Sequence, residues 1–129
     1  MEKTFDPIRF YEEVSGIYDK DTHPDIFDPT GSYSQGFAAS VASLTPSSIL
    51  EIGCGTAKRF KAIVYYYKQR SLPLPQLVAV EPSVGMRNQI PNELKEKIEF
   101  HSDPDTSHFR NNEFDLTLTS GVLCSVLNE

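Results

Sequence analysis

Two acidic residues and one glycine turn concentrate the chemistry of this chain. In Glu51-Ile52-Gly53-Cys54-Gly55-Thr56-Ala57 an acid stands two places ahead of a pair of glycines separated by a single residue. Glycines so spaced let the backbone turn sharply and approach a ligand closely. A helix starting after such a turn offers unpaired N–H groups and the positive end of its dipole. The turn can therefore receive a phosphate or the charged amino-acid end of a smaller cofactor. Glu81 follows Gly53 by 28 positions, a spacing that fits one strand–helix–strand unit. A carboxylate at that second strand tip lies beside the crevice of an open sheet and can accept hydrogen bonds from both hydroxyls of a ribose.

The other reactive side chains form weaker patterns. Cys54 lies between glycines, where backbone matters more than thiol, and Cys124 has no histidine at a suggestive distance. Two cysteines make neither a disulfide framework nor a metal site, which is compatible with a reduced intracellular compartment. His101 and His108 are the nominal general bases, although a strand end and a solvated loop explain them more simply. Asp103, Asp105 and His108 match no metal-ligand spacing.

Elements must hold these residues in place. Residues 1–36 are polar, aromatic-rich and irregular, with a short helix expected over 8–14 and a turn at Pro29-Thr30-Gly31-Ser32. A helix is expected over 33–43, its apolar side drawn by Phe37, Val41 and Leu44. From Ser47 strands and helices alternate. Strands are expected over 48–52, 77–81, 98–101 and 114–119. One helix, capped by Thr56, runs to about residue 70 with Phe60, Ile63, Val64 and Tyr67 as its stripe. A second, capped by Ser83, covers 84–89 and stops at Pro91. This order predicts an α/β fold with a parallel sheet covered by helices on both faces. The division expected is a helical cap at 1–46 and a cofactor-binding unit at 47–129.

Three readings of the turn compete. A dinucleotide fingerprint needs a third glycine where Lys58 stands, and that long side chain would crowd the helix–sheet contact. A Walker loop needs Gly-Lys-Ser or Gly-Lys-Thr, which is missing. The turn can also be purely structural. Against these, Ser48-Ile49-Leu50-Glu51-Ile52-Gly53-Cys54-Gly55-Thr56 closely resembles the first signature of the class I S-adenosylmethionine-dependent methyltransferases. Val80-Glu81-Pro82-Ser83-Val84-Gly85-Met86 resembles their second, and the strand Phe114-Asp115-Leu116-Thr117 their fourth.

The resemblance implies a Rossmann-like, doubly wound sheet, incomplete here, with strands one to four of an expected seven in the local order 3-2-1-4. It implies S-adenosyl-L-methionine as cofactor and methyl transfer to an acceptor, expected to be a small molecule. Glu51 then sits near the methionine amino group, and Gly53, Cys54 and Gly55 line the turn. Glu81 holds the ribose, Pro82 and Met86 touch the adenine, and Asp103, with Asp105 as alternative, accepts from the adenine amino group. Core packing explains Met86 equally well. Ser120 and Gly121 fall beneath the methionine part, while Tyr11 and Tyr18 belong to an aromatic segment that closes over the cofactor. Ala57 replaces a glycine common in the family and is small enough to keep the turn. No catalytic residue is singled out. A non-catalytic S-adenosylmethionine-binding module is the alternative, and an NAD-dependent oxidoreductase a more distant one.

Charge and hydropathy narrow the partners. The net charge of −6 lacks the basic stripe expected of a nucleic-acid binder. The basic clusters Lys58-Arg59-Lys61 and Lys95-Lys97 look like the wet sides of helices. No apolar run reaches the roughly 20 residues needed to cross a bilayer, and no secretory signal is evident, so a cytoplasmic protein is expected. A fourth strand at the sheet edge invites pairing with another copy or with a C-terminal half beyond this sequence, whose later loops would form most of the acceptor pocket.

Overall fold

The computed structural model describes residue 9 and residues 28–103, 105–110 and 113–119. In chain order these hold α1 (Ser32–Ser43), β1 (Ser48–Ile52), α2 (Lys58–Gln69), β2 (Gln76–Val80), α3 (Val84–Asn88), α4 (Asn92–Lys95), β3 (Ile98–His101) and β4 (Leu116–Thr119). The strands form one parallel sheet in the order β3-β2-β1-β4. That is the order expected, with β4 at the edge. The expected helix over 8–14 lies outside the described residues.

Side-chain alternation along each strand sorts the core into two layers. Ile49 of β1, Leu77 and Ala79 of β2 and Ile98 of β3 pack with Ala38 and Val41 of α1, Phe60, Ile63 and Tyr67 of α2, and Leu94 of α4. The opposite face, formed by Leu50, Val78 and Val80, meets Ile52, Phe109 and Phe114. Among the described residues, helices therefore cover one face and an aromatic loop the other. Helical cover on both faces was the expectation; among the described residues Phe109 and Phe114, not a helix, pack on the second.

Several element ends depart from the sequence reading. Ala57, not Thr56, occupies the N-cap of α2, in left-handed backbone (φ 63°) and without a side-chain cap. Thr56 is instead buried. Ser83 caps α3 as expected, its Oγ accepting from Met86 N at 3.1 Å. At the far end of α2, Ser71 N donates to Lys68 O and Leu72 N to Tyr67 O, with Ser71 left-handed at φ 52°. This is the Schellman arrangement built without glycine, so backbone hydrogen bonds end the helix before Pro73 is reached. Leu44, expected on the apolar stripe of α1, is largely exposed, because the helix stops one residue short of it. The short helix α4 was not anticipated.

Two side-chain clasps fix the frame. Ser47 N donates to Asp115 Oδ2 at 2.7 Å, and Asp115 N donates to Ser48 Oγ at 3.1 Å, locking the starts of β1 and β4. Gln35 Nε2 donates to Pro29 O at 2.7 Å and to Ala62 O at 3.2 Å, tying α1 to α2.

Candidate functional site

The site lies where β1 and β2 end. After Ile52 the chain passes through three left-handed residues at alternate positions, Gly53 (φ 74°), Gly55 (φ 59°) and Ala57 (φ 63°). Glycine takes this conformation freely, whereas any other residue pays about 1–2 kcal/mol. Ala57 thus keeps the turn of the family's glycine, but under strain, and its fully buried methyl helps offset the cost. Gly53 N donates to Val80 O at 2.7 Å, which binds the start of the turn to the end of β2.

Glu81 organises the next layer. Its Oε1 accepts from Gly55 N at 2.7 Å and its Oε2 from Ser83 N at 3.1 Å, while its own N–H donates to His101 O at 2.9 Å. Its carboxylate therefore joins the glycine turn to the start of α3, and its backbone N–H ties both to the end of β3. Met86 is buried below the turn, and a Cβ added at Gly55 would lie 3.2 Å from its Cε.

Glu51 is different. It lies at the end of β1, level with Ala79 and Leu118, and is only 2% exposed. Its Oε1 has no hydrogen-bond partner among the described residues, and its Oε2 stands 4.0 Å from an Arg59 guanidinium nitrogen. Burial pushes its pKa from 4.5 to about 8, Arg59 opposing the rise and Glu81 adding to it. A buried acceptor without a partner is costly, and such groups in native proteins call for an explanation. Cys54 beside it is buried, and burial, Glu51 and Glu81 all push its thiol upward, so it is an inert thiol rather than a nucleophile.

The remaining candidates divide by position. Pro82 is half-buried directly after Glu81. Asp103 is exposed, and its Oδ1 accepts from Asp105 N at 2.9 Å; Asp105 Oδ1 in turn accepts from Ser107 N at 2.9 Å. Both aspartates thus fold their own loop. The rings of His101, His108 and Phe109 cluster at tilted and edge-on angles, with centroids 5.2 Å apart for the histidine pair and 4.1 Å for His108–Phe109. Tyr11, Tyr18, Ser120, Gly121 and Cys124 lie outside the described residues.

Arg59 escaped the sequence reading, which placed it on a wet helix side. It stands in the first turn of α2, 38% exposed, with its guanidinium 5.4 Å from the centroid of the Phe37 ring and donating to Thr119 O at 3.3 Å. The signal available was Glu51: an acid at the buried end of a strand needs a countercharge, and the first turn of the next helix is the nearest place for one.

Parallel strands with a glycine turn and two buried acids at adjacent strand tips define a Rossmann-like cofactor-binding domain. The sequence profile of the family described as "Methyltransferase domain" matches residues 50–129. The plantazolicin methyltransferase BpumL, solved with a triazolic desmethylPZN analog and SAH, is 28% identical with a TM-score of 0.52, over 88% of this chain and 42% of that one. The same enzyme solved with SAH gives 26% identity and a TM-score of 0.54 over the same shares. The SAH-bound Podospora anserina methyltransferase PaMTH1, at 19% identity and TM-score 0.54 over 99% of this chain and 67% of that one, shares the fold. No curated protein sequence matches. The chain belongs to the class I S-adenosylmethionine-dependent methyltransferase family and carries its N-terminal, cofactor-binding portion. It spans 42% of the length of BpumL.

Proposed function

We propose that this chain binds S-adenosylmethionine in a methyltransferase acting on a small molecule or peptide, with residues 1–46 as a cap and 47–129 as the cofactor-binding unit. One observation carries the reading: a buried carboxylate oxygen, Glu51 Oε1, has no hydrogen-bond partner among the described residues and lies beside a glycine turn that Glu81 holds in place. An ammonium group is the partner such an oxygen lacks, and a charge-assisted hydrogen bond is the contact it would make. The plantazolicin methyltransferase BpumL, solved with SAH and with azolic desmethylPZN analogs, supports the choice of cofactor and acceptor class.

In this reading Glu51 receives the methionine amino group, and Gly53 through Gly55 let backbone approach the cofactor. Glu81 accepts from the ribose hydroxyls. A carboxylate has about four acceptor sites, so anchoring two backbone N–H groups is compatible with that role. Pro82 borders the adenine, whereas Met86, buried under Gly55, supports the turn from below. Asp103, Ser120, Gly121, Tyr11 and Tyr18 keep the roles the family resemblance implies. The cofactor's sulfonium supplies an electrophilic methyl. The chain's own residues orient it and keep water away, which is the protein's larger share in such a transfer. Neither His101 nor His108 is assigned as a base.

Calorimetric titration with S-adenosylhomocysteine beside NAD tests this. Binding of the first alone, weakened by Glu81→Ala, is expected. A folded protein that prefers NAD or ignores both ligands refutes the reading.

A further inference from the structure

We infer that Arg59 is a positioning residue of this site: its guanidinium holds the Glu51 carboxylate ready for a cationic group and fixes the tip of β4 beside it. This rests on reading Glu51 as the acceptor of the cofactor's ammonium. Three contacts from one side chain carry it. The guanidinium stands 4.0 Å from Glu51 Oε2, donates to Thr119 O at 3.3 Å, and lies 5.4 Å from the centroid of the Phe37 ring. It thereby connects α2, β1, β4 and α1 at the level where the strands end.

The geometry separates this pair from an ordinary surface salt bridge. Exposed ion pairs contribute little because water screens both partners. Here one partner is 2% exposed. At 4.0 Å the interaction is Coulombic rather than a hydrogen bond, so it leaves the acceptor capacity of the carboxylate intact. The groups facing Glu51 are Arg59 from α2 and Glu81 from the tip of β2, with the neutral Cys54 thiol in the turn between. Burial and Glu81 both favour a protonated Glu51, which could not attract an ammonium; Arg59 is the opposing charge. Arginine suits the place because its flat, permanently charged fork can lie over a ring and donate to a carbonyl together. Thr119 directly precedes Ser120 and Gly121, so the same side chain sets where the β4 tip begins.

The test uses the full chain without ligand and follows the Glu51 carboxyl by carbon NMR through a pH titration. The wild type is compared with Arg59→Met, Arg59→Gln and Arg59→Lys, and S-adenosylhomocysteine affinity is then measured over the same pH range. Removing the charge should raise the Glu51 midpoint by about one pH unit, the low end for a charge partner at this distance. Affinity near neutral pH should fall about tenfold and recover as pH rises, and Arg59→Lys should restore most of both. Arg59→Gln keeps a polar side chain of similar reach, so a folding defect in Arg59→Met leaves the question answerable. An unchanged Glu51 midpoint in a folded charge-removed variant overturns the proposal, as does an affinity loss equal at every pH. If the wild type fails to bind the ligand, the functional reading falls, while the NMR titration still decides the role of Arg59.

Discussion

The tips of β1 and β2 carry the same side chain at nearly the same burial, 2% for Glu51 and 6% for Glu81, yet in opposite states. Glu81 accepts two backbone N–H bonds and holds together three pieces of chain. Among the described residues Glu51 faces Arg59 at 4.0 Å and keeps one oxygen without a hydrogen-bond partner. Burial alone thus says little about what a carboxylate does. Its hydrogen bonds separate an acid that builds the turn from an acid that keeps an unused acceptor.

The largest effect should come from Glu81→Ala. It leaves the Gly55 and Ser83 N–H groups without their acceptor, at about 1–3 kcal/mol each, and removes the carboxylate proposed to hold the ribose. Thermal unfolding and calorimetry should show both lower stability and an affinity loss of about 100-fold or more. Glu81→Gln, which keeps an acceptor, should soften the stability loss more than the binding loss.

Glu51→Gln should behave in the opposite sense. The folded-state pKa of about 8 stands above the ordinary 4.5, so between these values the folded protein holds more protons than the unfolded chain. Stability is then lost as pH rises through that window, because ionising a dry carboxylate costs free energy. The glutamine mimics the protonated acid and should stabilise the ligand-free protein by on the order of 2 kcal/mol at about pH 7–8, with no gain at about pH 4. Ligand affinity should meanwhile fall by about 10- to 100-fold. Denaturant unfolding at the two pH values checks the sign. A destabilised Glu51→Gln near neutral pH would remove the contrast between the two strand tips.

Two smaller changes probe the turn between them. Gly55→Ala forces a side chain into left-handed backbone at φ +59° and should cost about 1–2 kcal/mol in thermal unfolding. Trimming Met86 should not rescue it, since the Met86 Cε contact is the flexible end of a side chain and the backbone strain remains. Ala57→Gly relieves similar strain but loses one buried methyl of about 0.8 kcal/mol and adds chain entropy, so it should change stability by less than about 0.5 kcal/mol.

Much of this was legible in the sequence because it was local. Short apolar runs bounded by glycine and proline marked the strands, and the glycine spacing with Glu51 and Glu81 marked the turn. The Ser83 cap followed from a serine ahead of a helical stretch. What escaped depended on contacts between distant residues. Arg59 looked solvated because helical periodicity records only its neighbours, whereas its partners Phe37, Glu51 and Thr119 come from three other elements. Asp115 belonged to a recognised strand motif, but its bonds to Ser47 and Ser48 depend on strand pairing. The Schellman end of α2 at Ser71 has no glycine to announce it.

The most direct test of the central claim is calorimetry of S-adenosylhomocysteine binding in buffers of different ionisation heat, from about pH 6 to about pH 9. If Glu51, its pKa raised to about 8 by burial, receives the ligand's ammonium as a carboxylate, affinity should rise with pH toward about 8 and binding near neutral pH should release a proton. Glu51→Gln should abolish that release. Binding that is independent of pH across this range and exchanges no proton would contradict the account.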